Sequence, residues 1–324
     1  MTPQEIYQLV LPDLIHVEEE LQSYTQGSIR PIADIGEHVL MAGGKRIRPA
    51  LLLLTAKMIG DVSPSMIRLA AVVELIHNAT LVHDDIIDEA DTRRGKPSVN
   101  AQWGNSMTVL AGDWLYMQSF NVALGERNLE ILSTLIEITQ KMVEGEMLQL
   151  TLLGKANANC DQLLDVVKRK TGYLFSGCMK LPAIASGTDP GTTACLAEIG
   201  MCLGMAFQLV DDILDLTSTQ ETLGKPVASD LKEGKMTLPV SLVMSDGRPE
   251  EASMVQTVIS EREFRSVNSR DILTFVEKYD GLGRTRRIAE DYARAATSAL
   301  GKFPQSPYRD AIIAIPDFIL NRNA

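Results

Sequence analysis

Apolar residues recur at three- and four-residue spacing along nearly the whole chain, as in Leu69, Val72, Val73, Ile76 and Thr80, or Leu132, Leu135, Ile136, Thr139, Met142 and Val143. That is the period of a helix with a buried face. Sustained alternation of period two, which marks half-buried strands, is missing. Pro and Gly fall mostly between the periodic segments, at Gly43-Gly44, Pro49, Pro64, Gly95 with Pro97, Pro182, Pro190, Gly224 with Pro226, Pro239, and Gly247 with Pro249. The pattern predicts an all-α chain of roughly ten or more helices joined by short connections. Pro49 suits the first position of one of these helices. One connection breaks the rule: Thr217 to Pro239 is polar and carries Gly224, Gly234, Lys225, Lys232 and Lys235. A long polar loop of this kind is usually functional, and here it is read as a lid.

A chain of 324 residues with 45% hydrophobic content can bury one large core, and a single domain over residues 1–324 is expected. Aromatic residues are only 5%, so Leu, Met and Ala carry the packing. Lys plus Arg number 31 against 42 Asp plus Glu, a formal charge of −11, which argues against a general hold on nucleic acid. Cys160, Cys178, Cys195 and Cys202 show neither a CxxC pair nor zinc spacing, which fits a reducing cytoplasm. The start Met1-Thr2-Pro3-Gln4-Glu5 is not a secretory signal and the end carries no lipidation box, and no apolar run approaching a membrane span of about 20 residues is evident.

Against that background two acidic pentads stand out, Asp84-Asp85-Ile86-Ile87-Asp88 and Asp211-Asp212-Ile213-Leu214-Asp215. On a helix the first and last carboxylates of each lie one turn apart on one face. Mg²⁺ takes oxygen ligands, keeps several waters, and is usually held by a few carboxylates plus substrate phosphates. Two such faces opposed in a helical bundle would form a clamp for a polyphosphate. A single DDxxD can be a solvated acidic face; a repeated one followed by Arg93-Arg94-Gly95 points to phosphate, because Arg forks grip phosphate oxygens and keep their charge. Upstream, Gly43-Gly44-Lys45-Arg46-Ile47-Arg48-Pro49 crowds three positive charges into a tight turn. It is a second phosphate pocket by the same chemistry, and it lacks the GxxxxGK[ST] of a Walker loop.

These segments, together with Lys170-Thr171-Gly172, the run from Gly204 to Asp215, and Gly224-Lys225-Pro226 through Pro239, stand in the order found in the trans-isoprenyl diphosphate synthases. The chain resembles that polyprenyl synthetase family over essentially its whole length. The resemblance implies an all-α fold of the isoprenoid synthase type, an orthogonal helical bundle around a central cavity, and a homodimer. It implies condensation of isopentenyl diphosphate with an allylic diphosphate (dimethylallyl, geranyl or farnesyl) in trans geometry, with Mg²⁺ as the cofactor. Any membrane contact would be peripheral, for product release.

By the same resemblance Asp84, Asp88 and Asp211 ligate Mg²⁺ on the allylic diphosphate, with Asp85, Asp212 and Asp215 contributing directly or through water. Arg93, Lys170, Lys225 and Lys235 would face that diphosphate, and Lys45, Arg48, His77 and Arg94 would hold isopentenyl diphosphate. On spacing alone His77 reads more readily as a core histidine, and His83 reads as structural. Thr171 and Gln208 are polar residues in apolar helices, for which ordinary interhelical bonding is the plain reading; the resemblance places them beside the reacting allyl group, where their dipoles would stabilise developing positive charge.

Product length should be set by a tunnel running down from the first pentad. Thr80 and Ala79 lie about 6–7.5 Å below Asp84 along a helix axis, and both are small where farnesyl-forming relatives carry bulky aromatics. The chain is therefore similar to the long-chain branch of octaprenyl and solanesyl diphosphate synthases. Helical geometry puts Thr80 on the Asp84 face and turns Ala79 away. Val73, Leu135 and Ile138 are deeper gate positions for which plain core packing is the simpler reading. A class I terpene cyclase is disfavoured by the repeated DDxxD. A non-catalytic partner subunit is disfavoured by the intact pentads and basic anchors, and a cation store would not need Lys45, Arg93, Arg94 and Lys235.

Overall fold

The computed structural model describes residues 1–27, 29–217 and 228–321. They fold as helices, as the periodicity predicts, with one short hairpin in addition. In chain order these are α1 (Pro3–Gln8), α2 (Leu11–Thr25), α3 (Arg30–Met41), α4 (Ile47–Ile59), α5 (Pro64–Ile87), β1 (Thr92–Arg93), β2 (Lys96–Pro97), α6 (Val99–Trp103), α7 (Asn105–Gly125) and α8 (Leu129–Leu152). There follow α9 (Cys160–Val167), a π-helical turn (Lys168–Gly172), α10 (Tyr173–Ala185), α11 (Pro190–Thr217), α12 (Ser229–Lys232), α13 (Leu238–Met244), α14 (Pro249–Glu261), α15 (Ser269–Lys278), α16 (Gly281–Leu300) and α17 (Pro307–Leu320).

The chain divides into two compact units. The first comprises Met1–Thr139, Ser176–Ala197 and Phe303–Ile312, and the second Gln140–Phe175, Glu198–Lys302 and Ile313–Ala324. In the first unit α5 is the central element, packed by α2, α4, α6 and α7. Its sequence dictates this. Leu69, Ala70, Ala71, Val72, Val73, Leu75, Ile76, Ala79 and Val82 surround the helix and are all buried, and a helix apolar on every side belongs inside a core. Pro64 occupies its first turn, where a missing N–H costs nothing. In the second unit α13 packs on α16 and α9, and α14 on α12 and α15; Asn159 and Gln162 form a reciprocal cap that starts α9.

Two sequence expectations are corrected here. The helix assigned to Pro49 begins at Ile47 with Arg46 as its cap, so Pro49 sits inside the first turn, where its ring still displaces no intrahelical bond. Two helices, α5 and α11, are long and apolar enough to cross a bilayer by length and composition, although 72% and 61% of the relevant windows are buried in protein. Their hydrophobicity is that of core helices.

Candidate active site

The first pentad forms the C-terminal end of α5, with Asp88 as the capping residue whose N–H donates to the Asp84 carbonyl. Its last turn contains no basic residue, so three carboxylates sit at the negative end of the helix dipole. That arrangement is electrostatically costly and favours an added cation. The three are not equivalent. Asp84 and Asp88 are partly exposed, whereas Asp85 is buried and accepts a 2.5 Å bond from Arg93 Nε. Burial raises the Asp85 carboxyl above its usual range, with Arg93 opposing and Asp88 reinforcing the shift. Arg93 is therefore aimed by a fixed counter-charge, and the hairpin of β1 and β2, which pairs Arg93 with Lys96, sets the angle of the Arg93-Arg94 turn.

The basic turn lies in the same unit. Arg94 and Arg46 both reach Gly44: a β-carbon there would stand 3.0 Å from Arg94 Nη1 and 3.3 Å from Arg46 Nη1. His77, half-buried on α5, is pushed well below its ordinary value near 6.5 by withdrawal from water and by the charges of Arg48, Arg94, Arg93 and Arg46. It is a neutral imidazole in a field of guanidinium groups, suited to donate a hydrogen bond to an anion. A cavity of about 30 Å³ opens beneath the hairpin beside His38, Asn78, Asp85, Arg93 and Arg94; it has room for water, not for a diphosphate. His83 Nε2 donates to the Val109 carbonyl, 3.1 Å away.

In the second unit the π-helical turn carries Lys170 and Thr171, and such turns often mark functional positions. Gly172 and Gly204 let the turn and α11 approach closely, since a β-carbon on Gly204 would lie 2.9 Å from the Gly172 Cα. Across this contact Thr171 Oγ1 donates to Gln208 Oε1 (2.8 Å), and Gln208 Nε2 donates to Asp212 Oδ1 (3.1 Å). Burial, then the nearby Asp230, raise the Asp212 carboxyl well above its usual range; Gln208 opposes this while Asp211 and Asp215 add to it. Asp215 is buried, and its carboxylate accepts from Ser229 Oγ (2.7 Å) and the Asp230 amide (3.2 Å). Asp215 is thus already engaged by two donors, while Asp211 at the same helix end is partly exposed.

Two of the four cationic groups expected on the allylic diphosphate, Lys170 and Lys235, have acidic neighbours in the same unit. Lys170 Nζ lies 2.5 Å from Glu146 Oε2 and 3.0 Å from Gln149 Oε1, and Lys235 Nζ lies 2.8 Å from Glu233 Oε2. Lys225 lies outside the described residues, as do residues 218–227 of the expected lid. The remainder of that segment is folded: Ala228 N–H donates to the Asp215 carbonyl, and Lys235 N–H to the Asp230 carbonyl. Of the chain-length positions, Val73, Ala79, Leu135 and Ile138 are buried, and half-buried Thr80 donates to the His77 carbonyl.

Among the described residues no three His, Cys, Asp or Glu side chains converge as a metal cage. The donor set instead suits Mg²⁺: a few hard carboxylate oxygens at each helix end, with the remaining positions left to water and phosphate. The polyprenyl synthetase family model matches residues 30–274. The chain belongs to the polyprenyl synthetase family. It is 35% identical to an octaprenyl diphosphate synthase of Escherichia coli strain K12, over 100% of both chains. A solved polyprenyl synthase of Caulobacter crescentus CB15, complexed with calcium and isoprenyl diphosphate, superposes with a TM-score of 0.94 at 33% identity, covering 100% of this chain and 98% of that one. A decaprenyl diphosphate synthase of Rhodobacter capsulatus gives 0.92 at 31% identity, with 98% of each chain covered.

Within this polyprenyl synthetase frame, sequence reasoning gave no role to Asp230, Asn78, Glu74 or Glu146. Asp230 had a signal, its place in the matched segment. Glu74 had another, a carboxylate in the middle of an apolar helix, which a buried group must answer with a partner.

Proposed function

We propose that this protein elongates an allylic diphosphate by repeated trans addition of isopentenyl diphosphate, giving a long-chain polyprenyl diphosphate. The observation that carries the reading is the pair of DDxxD helix ends, with Asp84 and Asp88 partly exposed on the first and Asp211 on the second and no compensating base in either last turn, in a chain of this family. Mg²⁺, when bound, supplies charge neutralisation for the departing diphosphate. Asp84, Asp88 and Asp211 would hold it, while Asp85 keeps Arg93 oriented and Asp212 keeps Gln208 oriented. Arg93, Lys170, Lys225 and Lys235 bind the allylic diphosphate, with Lys170 and Lys235 exchanging their glutamate partners for phosphate oxygens. Lys45, Arg48, Arg94 and neutral His77 bind isopentenyl diphosphate.

The allylic carbon–oxygen bond then breaks, the double bond of isopentenyl diphosphate attacks the resulting cation, and a proton is lost to the released diphosphate. No side-chain nucleophile takes part. The Thr171–Gln208 dipoles stabilise the positive charge, and residues 217–239 exclude water from it. The cysteine spacing, with neither a CxxC pair nor a zinc pattern, supports a reducing, cytoplasmic setting.

A homodimer is supported by exposed apolar residues at heptad spacing: Leu110, Met117 and Leu124 on α7, and Leu129, Ile136, Val143 and Leu150 on α8. The catalytic reading is tested by incubating the protein with labelled isopentenyl diphosphate, Mg²⁺ and each of three primers, dimethylallyl, geranyl and farnesyl diphosphate, then sizing the dephosphorylated products. A ladder of long all-trans products is expected. Asp84→Ala and Asp211→Ala should each lower the rate by about two orders of magnitude or more; wild-type rates in both would sink the assignment.

A further inference from the structure

The basic turn at residues 43–48 is held in place by groups that carry no expected role in binding. Its backbone takes the left-handed region at Gly43 (φ 70°) and again at Arg46 (φ 47°), the second an unfavourable conformation for a residue with a β-carbon. Arg46 is kept there by two carboxylates. Its Nε and Nη2 donate to Glu18 at 2.5 and 3.0 Å, and its Nη1 donates to Glu74 Oε1 at 2.8 Å. Glu74 is 3% exposed, on α5, one helical turn before His77. Tyr7 on α1 closes the fourth side by donating its hydroxyl to the Lys45 carbonyl. Burial works against the Arg46 charge, but Glu18 and Glu74 more than offset it and hold the guanidinium ionised. Burial and Glu74 push the Tyr7 hydroxyl up to about 12, so it remains a donor.

Glu74 also faces the charges the turn presents. Its field supports Arg94, which burial and neighbouring Arg93, Arg46 and Arg48 push downward, and it is felt together with Arg48 at the buried Cys178 thiol. One buried carboxylate thus fixes the backbone through Arg46 and offsets the mutual repulsion of the guanidinium groups around Gly44. Tyr7 and Glu18 come from α1 and α2, ahead of the segment matched by the family model, residues 30–274.

We propose that Glu74 and Arg46 are positioning residues for the isopentenyl diphosphate pocket, and that α1 and α2 serve as its outer brace through Tyr7 and Glu18. The proposal rests on the reading that Lys45, Arg48 and Arg94 bind that substrate. Removing the brace lets the turn relax out of its left-handed conformation, so the pocket for the five-carbon diphosphate loosens while the allylic pocket, built on Asp85 and Arg93, is untouched.

The test is steady-state kinetics with farnesyl diphosphate and isopentenyl diphosphate varied in turn, on wild type, Glu74→Gln, Arg46→Lys, Glu18→Gln and Tyr7→Phe. Losing a charged hydrogen bond at the buried pair should raise KM for isopentenyl diphosphate about tenfold in Glu74→Gln, with kcat and the allylic KM within about twofold of wild type. Arg46→Lys, which keeps the charge but loses the fork that bridges both carboxylates, should raise the same KM by a smaller factor than Glu74→Gln. Glu18→Gln alters only the partly exposed end of the network, so it reads the effect at about two- to threefold even if Glu74→Gln fails to fold. Equal changes in both KM values, or none in any folded variant, would overturn the proposal. If wild type shows no prenyl transfer, the functional reading fails separately. Calorimetric titration of isopentenyl diphosphate into wild type and Glu18→Gln then decides the brace alone: weaker binding in the variant supports it, and equal binding refutes it.

Discussion

His77 shows how a single side chain can be set by its surroundings. Water is largely withdrawn from it and four guanidinium groups point their charge at it, so its folded value falls well below the ordinary value near 6.5. The unfolded chain takes up a proton first as pH drops. The stability this group contributes is therefore complete above about pH 6.5 and declines as pH falls through that point toward the lower folded value. Denaturant unfolding between about pH 7 and 5 should show a shallower acid-side loss in His77→Gln than in wild type. An imidazole that titrates near 6.5 by proton NMR in the folded protein would contradict the assignment. Asn78, one residue along, makes the complementary case. It is buried, and its Nδ2 has no hydrogen-bond partner among the described residues. A donor left in that condition costs about 1 kcal/mol or more. Asn78→Leu should therefore raise the unfolding midpoint; a fall of similar size would mean that a water in the neighbouring cavity satisfies the amide.

At the scale of elements, α5 combines a core helix with a chemical site, and the two demands pull in different directions. Its apolar middle fixes the helix in the first unit, and its C-terminal end accumulates Asp84, Asp85 and Asp88 where the dipole is already negative. The apolar positions and the pentad were plain from sequence, because both are local patterns with the period of one helix. Partner choice was not. That Asp85 would take Arg93, that Asp215 would accept from Ser229 and Asp230, or that Glu74 would hold Arg46 depends on how separate elements fold back on one another, which helical spacing does not encode. The π-helical turn around Lys170 and the two-residue strands at Thr92–Arg93 and Lys96–Pro97 were too short to leave a periodic trace. The division of the chain into two units left none either, since all but one of its boundaries fall within helices whose apolar period continues across them. Thr80 offers a test at this scale. It lies one turn before Asp84 and is half-buried, bonded to the His77 carbonyl. Thr80→Phe would project a ring from α5 where a small side chain now stands. The product ladder should shift to shorter prenyl chains by chromatography, with the rate of the first condensation retained within about an order of magnitude. An unchanged ladder would remove Thr80 from the gate.

For the whole molecule the decisive question is what covers α7 and α8. Most large apolar side chains are inside, yet Leu110, Met117 and Leu124 are 63%, 62% and 58% exposed, and Leu129 is 79% exposed. Isolated exposed leucines need no explanation, but residues repeating every seven positions along a helix form a seam that a second helix can fill. The formal charge of −11 opposes association between copies only weakly at physiological salt, where the screening length is about 8 Å. Apolar burial along the seam should therefore win, at roughly 25 cal/mol for each Å² removed from water. Placing a charge in the seam reverses the balance, because an unpaired carboxylate in a closed interface must be desolvated. Met117→Glu combined with Leu124→Glu is expected to convert the protein from dimer to monomer in sedimentation velocity at micromolar concentration. Both substituted side chains are exposed in the single chain, so its circular dichroism should remain that of a folded helical protein. A wild-type protein that sediments as a monomer, or a double variant that still sediments as a dimer, would show that another surface of the molecule meets its partner.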